Sequence, residues 1–78
     1  MNESTERARR LEVTLFGAAA ASVLRTLGER YHILTSTSPA GADTVVTIDE
    51  IDQAGERAVL TLLWDTGHQV RSVLRREP

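Results

Sequence analysis

The two histidines are the residues of this chain best suited to acid–base or metal chemistry. His68 follows Asp65 by three positions, and an aspartate beside a histidine can hold a proton or a metal ion. Catalysis also needs a nucleophile or a substrate pocket around such a pair, and the sequence brings no residues together to supply one. His32 follows a predicted helix, where a partial positive charge suits the helix dipole. We therefore expect neither histidine to be catalytic.

Segment 62–67 carries the sharpest local motif, in which two leucines and a tryptophan precede Asp65-Thr66-Gly67. A carboxylate in such a loop does acid–base work when a second carboxylate lies close enough to share one proton. The pattern resembles the catalytic loop of aspartic proteases, which implies that a homodimer would supply the second aspartate. In that family most of a barrel follows the motif, whereas here only eleven residues follow Gly67. Asp-Thr-Gly also suits a hairpin turn, and we expect a turn.

Four carboxylates, those of Asp49, Glu50, Asp52 and Glu56, lie close together in the sequence. Calcium loops place oxygen ligands at fixed alternate positions around a mid-loop glycine, and this segment lacks that spacing. We expect a solvated, charged hairpin tip that opposes aggregation through a sheet edge. No metal ion or other cofactor is expected.

Arginines are concentrated at both ends of the chain, and the chain contains no lysine. If the first and last strands are neighbours, these arginines form one basic patch that would contact phosphates. The net charge of −2 and the presence of only three aromatic residues favour surface solubility and pairing with nearby glutamates instead. Nucleic-acid binding is therefore the alternative function. Its candidate residues are Arg7, Arg9, Arg10, Arg71, Arg75 and Arg76.

The predicted fold is α+β, with one helix on an antiparallel-rich sheet in the order β-α-β-β-β-β. Alternating apolar residues predict a first strand over 11–17, which ends at Gly17, and helical spacing continues over 18–30. A glycine before a helix can accompany an anion site, but a tight turn is expected. Later strands are predicted through Ile33 and Leu34, over 44–51, over 58–64 as the central strand, and over 69–75 with Val70 and Leu74 inward. Turns are predicted at 52–56 and 65–67.

The length of 78 residues predicts one domain over 11–76 after a flexible polar tail over 1–10. The chain has no cysteine, which removes disulfides and thiolate zinc sites and makes assembly with a partner a source of stability. No signal-peptide pattern and no apolar run of about 20 residues occurs, so a cytoplasmic location without membrane contact is expected.

The far face of the predicted sheet is too apolar for solvent alone, which indicates a contact surface. A strand register wrong by one residue would exchange the two faces. The residues predicted on the far face are Phe16, Leu34, Val45, Ile51, Val59, Leu63 and Val73, among Thr14, Thr47 and Thr61. The predicted interface has Val59, Leu63 and Val73 at its centre and Arg71 and Arg75 at its rim.

Residues 11–37, with the strand, the short loop, the helix and the Ile33-Leu34 strand, resemble the opening β-α-β of ferredoxin-like regulatory domains of the ACT type. The resemblance implies domains that pair through their sheets. Phe16-Gly17-Ala18 stands where that family has its ligand-binding loop, so no ligand-binding residue is carried over. We expect a non-catalytic regulatory or interaction domain that forms a homodimer or docks to a larger assembly.

Overall fold

The computed structural model describes residues 9–37 and 42–76, which form an antiparallel four-stranded sheet and two helices, so the predicted α+β class is confirmed. The strands lie side by side in the order β2-β3-β1-β4. The elements are β1 (Arg9–Leu15), α1 (Ala21–Arg30), β2 (His32–Thr37), β3 (Thr44–Ile51), α2 (Gln53–Asp65) and β4 (Val70–Arg76).

The N-terminal boundary of the sheet differs from the prediction. β1 begins at Arg9, so residues 9 and 10 belong to the sheet and not to the predicted tail. The remainder of that tail, residues 1–8 with Arg7, lies outside the described residues.

The strands of the first half follow the sequence pattern closely. Leu11, Val13 and Leu15 are fully buried, while the residues between them are partly exposed. β3 has the predicted bounds, and its Val46 and Ile48 are buried as expected. Strict alternation places such residues on one face of a sheet.

The prediction of a turn over 52–56 and a strand over 58–64 is wrong, because both segments belong to α2. Asp52 begins this helix as its N-cap, and its carboxylate accepts a hydrogen bond of 2.7 Å from the backbone N–H of Gly55. Val59 and Leu63 are one turn apart and are each 1% exposed. A short apolar run suits a buried helix as well as a strand, and here the capping aspartate favours the helix.

The first helix starts at Ala21, three residues later than predicted. Gly17 has a φ of +77°, a conformation that glycine adopts without strain, and Ala20 is an extended N-cap without a side-chain cap. β1 ends at Leu15, two residues before the predicted end at Gly17, and the chain uses residues 16–20 to turn from β1 into α1.

Both helices lie on one face of the sheet, which we call the inner face. Inner residues of β1 and β3 form one core cluster with Val23 and Leu27 of α1 and with Val59 and Leu63 of α2. The helix α2 packs very closely at Gly55, where an added Cβ would lie 2.8 Å from Cγ1 of Ile51.

Local irregularities decide which side chains face the core near the strand ends. Glu50 has a φ of 57°, the register between β1 and β3 shifts at this end, and Ile51 is fully buried. The register between β1 and β4 shifts near Leu15, so that Val73 pairs with Val13 on the inner face. Leu74 is consequently 50% exposed, and its predicted inward position is wrong, whereas Val70 packs against the core.

Candidate interaction surface

The face of the sheet opposite the helices, which we call the outer face, carries three rows of side chains. Strand pairing and alternation place the residues of each row side by side across β2, β3, β1 and β4. The first row is Ser36, Val45, Thr14 and Ser72, the second is Leu34, Thr47, Glu12 and Leu74, and the third is His32, Asp49, Arg10 and Arg76. In the third row the register between β1 and β3 is irregular, and an ion pair joins Arg10 to Asp49.

The first two rows are mostly uncharged and open to solvent. Leu34 is 70% exposed and Leu74 is 50% exposed, one on each edge strand. Val45, Thr14 and Thr47 lie between these edges and are partly exposed. No helix of the described ranges 9–37 and 42–76 covers this face, because the core cluster gathers both helices on the other side.

The charged groups of the outer face are paired with one another. In the third row, the guanidinium Nε of Arg10 lies 2.6 Å from a carboxylate oxygen of Asp49. Glu12, the one acid of the second row, lies 3.6 Å from Nε of Arg76. The face therefore combines exposed leucines with charges that are already balanced.

The centre of the predicted interface lies elsewhere in the structure. Ile51, Val59 and Leu63 are buried between helices and sheet, so their predicted position on the far face is wrong. Val73 is half-buried on the inner face and packs against the core. Thr61 is exposed on α2 rather than on the sheet. Of the predicted far-face residues, Leu34, Val45, Thr14 and Thr47 do lie on the outer face.

The two predicted rim arginines are held by carboxylates at the β4 edge. Arg71 pairs with Asp43 at 2.8 Å, and its guanidinium lies 4.4 Å above the centre of the half-exposed Phe16 ring, a cation–π arrangement. Arg75 pairs with Glu56 at 2.6 Å. Both cations are thus engaged within their own chain.

Glu56 is the ionisable residue whose observed environment differs most from the prediction. It is 2% exposed and binds Arg75 at 2.6 Å and Arg9 at 3.4 Å, so the first turn of α2 is tied to β1 and β4. The expected solvated tip is therefore wrong for Glu56, while Asp49 pairs with Arg10 and Asp52 caps α2. The sequence signal that was available is the capping aspartate, which would have placed Glu56 on a helix.

Four of the candidate nucleic-acid arginines lie at one end of the neighbouring strands β1 and β4, where Arg10 pairs in register with Arg76. Arg71 lies toward the other end of β4, beside Phe16. Five of the six candidate arginines belong to the described residues, and each of these five lies within 4 Å of a carboxylate. A basic patch that contacts phosphates needs guanidinium groups available to them. Within the described residues, these arginines pair with carboxylates of their own chain.

Of the turn predicted at 65–67, only residues 66 and 67 form a turn, because Asp65 is the last residue of α2; the turn joins a helix to β4 rather than two strands. The histidine that follows this turn has structural bonds. Thr66 is the C-cap of α2, and Gly67 has a φ of +86°. The backbone N–H of Ala20 donates to Nε2 of His68 at 3.0 Å, which places the hydrogen of a neutral ring on Nδ1. Nδ1 lies 2.9 Å from the Thr66 hydroxyl. His68 thus ties the start of α1 to this turn.

The remaining candidates are Gly17, His32 and possible clusters of metal ligands, considered among the described residues. The backbone N–H of Gly17 donates to a carboxylate oxygen of Asp43 at 3.4 Å, so an acid already occupies the place where an anion would bind. His32 is exposed at the start of β2. Among the residues that the structure describes, no group of three or more His, Cys, Asp or Glu side chains is placed to hold a metal ion. Neither described helix has the length and apolar character needed to cross a bilayer.

No protein-family model matches this chain, and no curated protein or solved structure matches it significantly.

Proposed function

We propose that this protein is a small non-catalytic regulatory domain that acts by self-association through the outer face of its sheet. The observation that carries the proposal is the pair of exposed leucines, Leu34 and Leu74, on a face that neither described helix covers and whose first two rows are mostly uncharged. The two leucines lie on opposite edge strands with partly exposed Val45, Thr14 and Thr47 between them. An exposed face of apolar and uncharged side chains favours a protein contact. A face of this kind is buried most simply by another sheet.

The element order supports a ferredoxin-like fold of the ACT type for this domain. Two β-α-β units interleave their strands in the order β2-β3-β1-β4, with both helices on one side, as in the split β-α-β arrangement. The second helix, absent from the sequence prediction, completes that arrangement. Fold alone does not determine function, so the proposal depends on the outer face.

Non-catalytic action is part of the proposal because the described polar groups are used structurally. His68 bonds backbone and turn, Glu56 binds two arginines and Asp52 caps a helix. Docking to a different protein through the same face is the alternative mode. Nucleic-acid binding has less support, since every described candidate arginine has a carboxylate partner.

Light scattering on a sizing column, across protein and salt concentration, tests self-association. We expect a mass of twice the 8.6 kDa chain and a return to the single-chain mass in the double variant Leu34→Glu, Leu74→Glu. The matched control is Trp64→Glu, which removes an apolar side chain that is 59% exposed on the helical side and should leave the dimer intact. A folded wild-type monomer at all concentrations would refute self-association.

A further inference from the structure

We propose that two copies of this chain pack outer face against outer face about a two-fold axis that runs parallel to the strands. This inference rests on the proposed function and adds the geometry of the contact. In this arrangement β1 of one protomer lies over β3 of its partner, and β2 lies over the partner's β4.

A two-fold axis can follow any of the three principal directions of the sheet, and the three resulting arrangements oppose different charges. An axis normal to the sheet joins two edges. An axis in the sheet plane but across the strands places every strand over its own copy. An axis along the strands exchanges β1 with β3 and β2 with β4, because the strand order is β2-β3-β1-β4. A two-fold contact repeats every pair twice, so each favourable or unfavourable pair counts double.

The axis across the strands brings like groups together. When it passes through the middle row, Glu12 faces its own copy, which opposes two carboxylates at the centre of the contact. When the sheets shift by one row to avoid this, Leu34 faces Ser36 of the partner and the third row is left outside. The centred version therefore opposes like charges, and the shifted version loses contact between apolar side chains.

With the axis along the strands, each row of one protomer faces the same row of its partner, because a rotation about that axis does not move a residue along the strand direction. In the second row, Leu34 then faces Leu74 of the partner, so both exposed leucines are buried together. In the third row, Asp49 faces Arg10 of the partner. Since Arg10 and Asp49 already pair at 2.6 Å within one chain, the dimer would hold a ring of four alternating charges.

Pairing of two sheet edges does not bury both exposed leucines while opposing unlike charges. An antiparallel β4–β4 contact centred on Val73 places Arg71 opposite Arg75 of the partner, and like charges directly opposite are unfavourable. A β2–β2 contact avoids arginine but leaves Leu74, which is 50% exposed, on an uncovered face. Packing of the two outer faces covers both leucines in one contact.

Cysteine pairs separate the three arrangements, and the chain contains no cysteine of its own. Leu34→Cys and Leu74→Cys are made as single variants, and a short bismaleimide linker spans the roughly 10 Å between facing sheets. We expect efficient linking when the two variants are mixed, approaching half of the chains. Either variant alone should link several-fold less, because identical positions then lie on opposite lateral edges of the dimer.

A second pair of variants tests the charge order. Arg10→Asp and Asp49→Arg, each alone, place like charges in the third row and should weaken the dimer at least tenfold. Their mixture restores both contacts and should form a heterodimer. Circular dichroism of each variant confirms that the chain is folded.

The outcomes distinguish the two proposals. Linking of Leu34→Cys to its own copy, or no recovery when the charge variants are mixed, would overturn the axis along the strands while leaving self-association in place. A monomeric wild-type chain overturns both the axis and the proposed function. Linking in the mixture together with heterodimer recovery supports both.

Discussion

Replacement of Gly55 by alanine should destabilise this protein, although alanine is the better helix former. The new Cβ would lie 2.8 Å from Cγ1 of Ile51, 3.1 Å from a carboxylate oxygen of Asp52 and 3.2 Å from the Tyr31 hydroxyl. Ile51 is fully buried, so it has little room to move. The aspartate oxygen is the one that caps α2, so displacement of Asp52 would also weaken the cap.

The magnitude follows from three opposing contributions. Overpacking costs about 1–3 kcal/mol, and a weakened N-cap costs up to about 1 kcal/mol. The helix propensity of alanine returns about 1 kcal/mol relative to glycine. These contributions sum to a net loss of about 0–3 kcal/mol, and the approach of 2.8 Å to a fully buried side chain favours a loss of about 1–3 kcal/mol. That is a large part of the roughly 4–12 kcal/mol typical of a domain of this size.

Gly28→Ala is the matched control, because it makes the same change in the other helix. Among the other described residues, the atom nearest to its added Cβ is Cδ1 of Ile33 at 3.9 Å, an ordinary contact. This variant should therefore gain about 0.5–1 kcal/mol from helix propensity.

Urea unfolding followed by far-UV circular dichroism measures both variants at one fixed protein concentration, since association contributes to apparent stability. For a slope of about 1 kcal/mol per molar urea, the midpoint should fall by about 1–3 M for Gly55→Ala and rise slightly for Gly28→Ala. A Gly55→Ala protein as stable as wild type would refute the close approach of α2 to Ile51.

Three further changes test the charges and caps of the helices. Glu56→Gln should lower the free energy of unfolding in urea by about 1–3 kcal/mol, because it removes a buried carboxylate, 2% exposed, that pairs with two arginines. The control Glu29→Gln, on an exposed part of α1, should change it by less than about 0.5 kcal/mol. Equal losses in the two variants would contradict the role of Glu56. Asp52→Ala should lose about 1 kcal/mol, whereas Asp52→Asn retains a capping oxygen and most of the stability; a full loss in the asparagine variant would argue against the cap. Ala20→Asp supplies a cap that α1 lacks and should raise the melting temperature by about 4 °C, and an unchanged value would show that residue 20 cannot cap α1.

The features predicted correctly from the sequence are those that depend on neighbours along the chain. Leu11, Val13 and Leu15 alternate with polar residues, and a period of two determines both the strand and its buried face. The β-branched run at 44–51 produced the right bounds for β3. The turn at Thr66 and Gly67 was recognised because glycine accepts the φ of +86° found at Gly67.

The tertiary structure decided the features that depend on residues distant in sequence. The apolar run at 58–64 is helical, and its Val59 and Leu63 are buried in one core cluster with residues of α1 and of the sheet. No local period distinguishes such a helix from a short strand. Glu56 meets Arg9 across 47 positions and Arg75 across 19, a pairing that only the folded chain creates. Irregular registers in β1, β3 and β4 turned Ile51 and Val73 inward and Leu74 outward. A single extra residue in a strand exchanges its faces, so the sequence alone predicted an apolar contact face, whereas only the fold determined which residues form it.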